Sequence, residues 1–452
     1  MADPPEEQGI TAIAVSGFKS LYDECRIEIR PLTVLAGANS SGKSSIMQPL
    51  LMMKQTLDAP HDPGPLRIDE PNVHFTSAKQ FLCKDENGAF RDFIIAVELD
   101  DEFTLTNIYR QPASTRRRQL ELVESVYGDL TIRPGMTHEE ILQRMPQQLD
   151  ELRNQISKDA QVNLEWRVVR NRCFYTFELY GESDELGTGL GFRTSPSEIV
   201  MSHIRHVIHV PALRGNPQRT YPASPVRGPE FVGRFDVYVA GVISRWRANE
   251  SSQLRELGKM LEDLGLTWKV TSRRVEDTQV ELRVGRLKHS ARGGAHDLVN
   301  IADVGFGVSQ VLPVLVALLV AQPQQLVYIE QPEIHLHPRA QVALAKIIAD
   351  AANRGVRVVV ETHSVLLIQG IQTLIAQEEL AHDDVILHWF TRDDEGKTTI
   401  HSQEPDSFGA YGDWPEDFAE VQMQADSDYL DAVEQRKLGL FNGRQEPETS
   451  GD

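Results

Sequence analysis

The chain has 452 residues, is 40% apolar and 25% charged, and carries a net charge of −20 at neutral pH. That length suits two or three lobes around sizeable cores, and no uninterrupted apolar run approaches the roughly 18 residues of a membrane span. The acidic balance speaks against whole-molecule attraction to nucleic acid. The first residues, Met-Ala-Asp-Pro-Pro-Glu-Glu-Gln, lack the basic start and apolar core of a secretory leader. Cys25, Cys83 and Cys173 are isolated and read as reduced thiols in a cytoplasmic protein.

Residues 10–15, 25–29 and 32–36 alternate and turn like strands, with Phe18-Lys19-Ser20 in the first connection. The segment 37–44 then reads Gly-Ala-Asn-Ser-Ser-Gly-Lys-Ser, a full G-x-x-x-x-G-K-[ST] phosphate-binding loop. It follows an extended apolar segment and opens a helix-like run from Ser45, the context the motif requires. Its glycines let backbone N–H groups close around phosphate oxygens, and the helix start adds unpaired donors and a positive dipole end. Asn39, Ser40, Ser41, Gly42, Lys43, Ser44 and Ser45 are the candidate nucleotide-binding residues. Lys43 suits the β- and γ-phosphates, and the Ser44 hydroxyl suits Mg²⁺.

Residues 58–65 read as a loop, and 92–99, 103–109, 165–169 and 173–179 as strands of an antiparallel sheet branching off the nucleotide core. Between them, Thr137-His-Glu-Glu140 has the form of a capping box. Ile141, Met145, Leu149, Leu152 and Ile156 recur at helical spacing, predicting a helix whose stripe packs on a core or a partner helix. Residues 181–196 are loop-like, 231–246 and 252–264 helical, 279–284 a strand and 288–295 a Gly/Arg/His-rich loop. This middle region is rich in base, from Arg116-Arg-Arg118 through Arg205, Arg214, Arg219, Arg227, Arg234, Arg245, Arg247, Arg273, Arg274, Arg283 and Arg286 to Lys288. Solvated faces, intramolecular partners for acidic segments, and contact with DNA or RNA are its three readings.

Asp303-Val-Gly-Phe-Gly-Val-Ser-Gln-Val-Leu-Pro313 is a Gly-rich turn entering an apolar helix, again an anion-binding device. Leu-Val-Tyr-Ile-Glu-Gln-Pro-Glu-Ile-His-Leu-His-Pro at 326–338 is an apolar strand ending in an acid, the Walker B layout, which delivers the Glu330 carboxylate to a Mg²⁺ shell. Residues 356–364 form another buried strand, ending in Thr362-His363-Ser364, where His363 can reach a γ-phosphate. There is no G-x-S-x-G or H-E-x-x-H motif.

Phosphate loop, long insertion, Gly-rich turn, Walker B strand and His-ended strand, in that order, resemble the ATP-binding-cassette (ABC) head group. The nearer relatives are the RecF, structural-maintenance-of-chromosomes (SMC) and overcoming-lysogenization-defect ATPases, over roughly residues 8–60 and 295–392. Phe18-Lys-Ser-Leu before the loop and Pro-Glu-Ile-His-Leu-His-Pro mark this branch. Pro-Ala-Leu-Arg-Gly-Asn-Pro-Gln-Arg-Thr-Tyr at 211–221 and Gly-Asp-Trp-Pro-Glu-Asp-Phe at 412–418 look like a bacterial, phage-defence-associated subgroup. The resemblance implies an α/β fold: an ABC-type P-loop ATPase head with an antiparallel β-subdomain and a helical insertion. Residues 1–60 and 295–400 would form the two halves of the head, 61–294 the branch and insertion, and 401–452 an acidic tail, disordered at its end.

The resemblance further implies a homodimer or higher homo-oligomer closed around two Mg-ATP. Lys19 would join the nucleotide-binding set, and Gly305, Gly307 and Ser309 would touch the partner's nucleotide in trans. The family's turn has a serine two residues before its central glycine; that place is Gly305 here, leaving open whether Ser309 substitutes. Gln80 is either a Mg²⁺-sensing Q-loop residue or an ordinary exposed glutamine. Walker B motifs of the family end Asp-Glu, whereas this chain has Glu330-Gln331. Glu330 can serve the metal, but Gln331 orients water without accepting its proton, so slow hydrolysis is expected unless Glu333 or His363 supplies a base. Glu333 reads equally as a loop contact, and His335 and His337 as a dimer-contact loop or metal ligands. The tail acids Asp406, Asp413, Glu416, Asp417, Asp426 and Asp428 lack the scaffold of a two-metal nuclease. A nuclease or toxin effector is therefore expected on a separate chain. The leading expectation is an ATPase that drives or gates such an effector in anti-phage defence or nucleic-acid maintenance. A non-hydrolysing scaffold that sequesters a partner and a DNA-binding clamp are the alternatives.

Overall fold

All six residues of Leu-Thr-Val-Leu-Ala-Gly are buried, as a strand covered on both faces requires. In a computed structural model of the chain they form β3 (Leu32–Gly37). The structure describes residues 9–100, 103–112, 120–160, 162–181, 192–223, 228–286, 297–412, 427, 430 and 433. Two units are present, Met1–Ala410 and Tyr411–Asp452, and every element below lies in the first.

The central sheet has the order β11 (Ile208–Val210), β16 (Leu326–Glu330), β17 (Arg357–Glu361), β3, β18 (Val385–Arg392), β19 (Thr398–Gln403). The first five run parallel, and β19 closes one edge antiparallel to β18. In β16 and β17 the apolar residues run continuously rather than alternating, because helices pack on the sheet. α1 (Lys43–Asp58) lies against β3 and β1 (Ile10–Ser16), while α7 (Phe306–Val320) and α8 (Pro338–Asn353) pack on β16 and β17 respectively. α9 (Val365–Ala376) packs on α8.

The second sheet is antiparallel, ordered β2 (Cys25–Glu28), β1, β4 (Phe93–Leu99), β5 (Phe103–Arg110), β6 (Glu121–Tyr127), β7 (Leu130–Ile132). β4 alternates buried and half-buried residues, the signature of a sheet with one face on a core. At its end Phe18, Phe75, Phe81 and Phe93 cluster with ring centroids 5.0–6.2 Å apart, fixing the turn that carries Lys19. Two smaller sheets follow. One holds β8 (Glu165–Asn171), β9 (Phe174–Tyr180) and β10 (Arg193–Thr194); the other holds β12 (Tyr221–Pro222), β13 (Val270–Glu276), β14 (Gln279–Gly285) and β15 (Leu298–Asn300). The fold is α/β with an antiparallel subdomain, as expected.

Three local expectations are corrected. The stripe from Ile141 to Ile156 spans two helices, α2 (His138–Leu142) and α3 (Gln147–Ala160). Pro146 separates them, since proline cannot continue a helix; the Thr137–Glu140 capping box is present. The helix expected from Phe231 begins at a 3₁₀ turn, Phe235–Tyr238, and continues as α5 (Val239–Ala248), because Gly233 has φ 72°. The region 61–294 also contributes β11 to the central sheet, a three-residue strand too short to register as a pattern. α4 (Glu198–His206) precedes β11, and α6 (Ser252–Asp263) matches the helix read from the sequence.

Among the basic residues of the middle region, Arg219 pairs with Asp303, Arg234 with Asp236, Arg273 and Arg283 with Glu281, and Arg274 with Asp277. Arg214 is buried. The three-arginine run at 116–118, Arg227, Lys288, the 288–295 loop and the acidic tail from 413 to 426 with Asp428 lie outside the described residues. Cys25, Cys83 and Cys173 are buried free thiols. No described helix is long and apolar enough to cross a membrane.

Candidate nucleotide-binding site

The phosphate loop joins the end of β3 to α1. Gly37 and Gly42 have φ of 137° and 108°, conformations that L side chains rarely adopt. A Cβ on Gly37 would meet Phe390 O at 2.2 Å, and one on Gly42 would meet Thr398 Oγ1 at 2.5 Å. Both positions therefore require glycine on steric grounds as well. Gly42 is the N-cap of α1, and no side chain caps that end, so the first N–H groups of the helix face the loop.

Around this loop lies a cleft of about 370 Å³ lined by Lys19, Ser20, Asn39 through Ser45, Gln48, Gln331, Glu361, His363 and Arg392. The whole predicted loop set is thus brought together with Lys19, Gln331 and His363. Lys19 Nζ donates to Gln48 Oε1 at 2.7 Å and lies 4.8 Å from the Phe75 ring centroid; burial lowers its pKa. Lys43 Nζ donates to Gly37 O at 3.0 Å and Ala38 O at 2.6 Å. Burial lowers its pKa too, against the opposing charges of Glu361 and Glu333.

Residues 330–333 divide around the cleft. Gln331 faces it, with φ 44° and its N–H donating to Glu361 O at 2.7 Å. Left-handed backbone at a residue other than glycine is a strained state held by its surroundings. Glu330 is turned away: Oε1 accepts from His209 Nε2 at 3.1 Å and Oε2 from the Ala212 N–H at 3.0 Å. Burial raises the Glu330 pKa, but the hydrogen bond and charge of His209, the Ala212 N–H and Arg214 outweigh it and hold the carboxyl below its ordinary value. Glu333 Oε1 accepts the backbone N–H of His363 at 2.8 Å, a loop contact; its other oxygen is buried with no hydrogen-bond partner. His363 is held below the ordinary histidine range by burial and the Lys43 charge, with a hydrogen bond to the Gly37 backbone acting the other way.

The acid beside Ser44 is Glu361, at the end of β17. Ser44 Oγ donates to Glu361 Oε1 at 2.8 Å, and Tyr328 Oη donates to Glu361 Oε2 at 2.8 Å. Burial and the Glu330 charge raise the Glu361 pKa, only partly offset by Ser44, Tyr328 and Lys43. Glu330 and Glu361 are direct partners in the β16–β17 register, so two strand-end acids stand side by side with opposite shifts. Sequence reading missed Glu361, Arg392, Ser20 and Gln48. For Glu361 the signal was present, an acid ending an apolar strand immediately before Thr362-His363-Ser364. Hard oxygens on Ser44 and Glu361 beside a cationic phosphate loop suit Mg²⁺ bound with a nucleotide phosphate.

Gln80 is placed elsewhere. Its Oε1 accepts from Thr76 N and Ser77 N as part of a capping box, because a polar side chain three residues after a serine N-cap closes locally. The Gly-rich turn caps α7 with Gly305; Phe306 beside it is 51% exposed, and Ser309 Oγ donates to Phe306 O. Gly305 and Gly307 line a second cleft with Leu266, Arg286 and Asp303. His337 is the N-cap of α8, its ring accepting from Arg339 N–H, and the His335 ring lies 6.2 Å from that of Phe306. The described residues hold no cluster of three or more metal-ligating His, Cys, Asp or Glu side chains.

Behind this loop, Arg214 binds α7 to the end of β16. Its guanidinium donates to Gln310 O at 2.9 Å, Glu330 O at 2.7 Å and Pro211 O at 3.0 Å, while Gln310 Nε2 donates back to Arg214 O.

A strand–loop–helix phosphate cradle at the centre of a parallel sheet, facing a strand-end acid and histidine, defines a P-loop nucleotide-binding ATPase head. An AAA ATPase domain family matches residues 9–183, and a family described as "AAA domain, putative AbiEii toxin, Type IV TA system" matches residues 223–369. Both are AAA domain families, and between them they cover the phosphate loop, the Gly-rich turn and the strands that end in Glu330 and Glu361. No curated protein matches it. Among solved structures it is similar to the SMC head domain from Thermotoga maritima at 11% identity and TM-score 0.40, covering 88% of this chain and 99% of that one. It is similar also to an Smc head bound to the C-winged helix domain of ScpA, at 12% identity and TM-score 0.47, covering 88% and 98%. A third is the Smc head with an extended coiled coil bound to the ScpA C-terminal domain derived from Pyrococcus furiosus, at 12% and 0.43, covering 88% and 96%.

Proposed function

We propose that this ATPase binds Mg-ATP at the β3–α1 loop, dimerises around it, and gates a separate effector protein, a nuclease or toxin, in bacterial anti-phage defence. The observation that carries the reading is the convergence of Lys19, Lys43, Ser44, Gln331, Glu361 and His363 on one cleft. Loop N–H groups and the two lysines bind the phosphates. Mg²⁺ supplies charge neutralisation at the phosphates when bound. Gln331 orients the attacking water, and His363 donates to the γ-phosphate.

Dimerisation is supported by the Gly-rich turn at the start of α7, where exposed Phe306 and the Gly305 backbone face outward. In this reading Gly305, Gly307 and Ser309 reach the partner copy's nucleotide. The defence role rests on the description of the family matching residues 223–369. Slow turnover, with the chain acting chiefly as an ATP-gated clamp, is favoured by an amide at Gln331 and by the Glu333 carboxylate bonding the His363 backbone rather than lining the cleft. The test is equilibrium ATP binding, turnover and light-scattering mass with and without Mg-ATP. Wild type should bind ATP and double its mass, and Lys43→Ala should do neither; a mass unchanged by saturating Mg-ATP sinks the dimer.

A further inference from the structure

We propose that Glu361, not Glu330, is the carboxylate that shares the Mg²⁺ shell with Ser44. The inference rests on the Mg-ATP reading above and assigns its metal half-site. In P-loop ATPases the loop Ser or Thr and a strand-end acid hold the ion together, so the acid is identified by its contact with that hydroxyl. Here the contact is Ser44 Oγ to Glu361 Oε1 at 2.8 Å, and Glu361 lines the loop cleft. Glu330 has neither property. Its oxygens accept from His209 and from the Ala212 N–H, on the β11 side of β16, and not from Ser44.

The arrangement follows from the sheet. β17 lies between β16 and β3, so its last residue, not that of β16, abuts the loop that leaves β3. Tyr328 fixes the orientation. Its hydroxyl bonds Glu361 Oε2 and leaves Oε1 toward Ser44, and its ring stacks on His209 with centroids 5.5 Å apart and planes 10° apart. His209 in turn holds Glu330. Glu330 therefore ties the end of β16 to His209 and the Ala212 N–H and makes no contact with Ser44.

The test measures Mn²⁺ binding by electron paramagnetic resonance to the full chain saturated with a non-hydrolysable ATP analogue. Nucleotide binding in EDTA and thermal melting are followed in parallel. Glu361→Gln should weaken Mn²⁺ binding about 10- to 100-fold, the range typical of disturbed metal sites, while leaving EDTA-state nucleotide binding intact. Glu330→Gln should leave Mn²⁺ affinity near wild type. Should Glu361→Gln fail to fold, Glu361→Asp, which keeps the charge but retracts it from Ser44, should show the same selective loss. Wild-type Mn²⁺ affinity in the Glu361 variants, with the loss appearing in Glu330→Gln, overturns this assignment alone. A wild-type protein that binds no nucleotide with or without metal overturns the Mg-ATP reading as well.

Discussion

Replacing Arg214 with alanine should destabilise the first unit by about 2–5 kcal/mol. Arg214 is 6% exposed, and its guanidinium makes three short bonds to the carbonyls of Pro211, Gln310 and Glu330, with a longer one at 3.4 Å to Gln331. Hydrogen bonds from a charged donor contribute about 1.5–3 kcal/mol each. Against them stands the cost of burying the charge. Burial pulls the Arg214 pKa from 12.5 to about 10, despite Glu333, Glu330 and Asp236, which corresponds to about 3 kcal/mol. The difference, about 1.5–6 kcal/mol, brackets the stated range, and it agrees with the effect of deleting one partner from a buried charged network. Lysine should recover little, since one ammonium cannot span carbonyls that the planar fork reaches together. Urea denaturation followed by tryptophan fluorescence measures the effect. An Arg214→Ala protein within 1 kcal/mol of wild type would refute the reasoning.

Gln331→Glu should raise ATP turnover on the order of 100-fold, since it places a proton acceptor where the cleft holds an amide; steady-state phosphate release checks this, and unchanged turnover argues against Gln331 as the limiting group. Gly42→Ala should cost about 1–3 kcal/mol and weaken ATP binding, because φ 108° and the 2.5 Å approach to Thr398 Oγ1 both oppose a Cβ; calorimetric melting and a nucleotide titration report the two effects. His388 is buried neutral, its Nε2–H donating to Glu28 O and its Nδ1 accepting from Ser402, and burial lowers its pKa from 6.5 to about 4. The unfolded chain therefore binds the proton more readily, and stability should fall by about 3 kcal/mol as pH drops from 6.5 to 4. His388→Gln should flatten that part of the denaturation-versus-pH curve, and an unchanged slope would assign it to other groups.

The phosphate loop was legible because its chemistry is local: glycines, lysine and serine lie within eight consecutive residues between a strand and a helix. β1, β3, β16 and β17 were legible because buried strands leave continuous or alternating apolar runs. The destination of a strand-end acid was not. Glu330 and Glu361 end similar strands, and which one meets Ser44 depends on the order β16-β17-β3, a nonlocal property. Gln80 stands three residues after Ser77, a spacing that also describes the capping box it forms. β11 escaped notice because three residues carry no period.

The position of β3 has a consequence for the chain's synthesis. Its hydrogen-bonding neighbours, β17 and β18, begin at Arg357 and Val385, more than 300 residues after Leu32. At a translation rate of about 5–20 residues per second, this wholly buried strand leaves the ribosome roughly 15–70 s before its partners exist. Through that interval the nascent chain carries two unpaired strand edges and a phosphate loop with no opposing strand-end acid. Folding of the ATPase head must therefore be largely post-translational, and its yield in cells should depend on chaperones that shield the N-terminal segment.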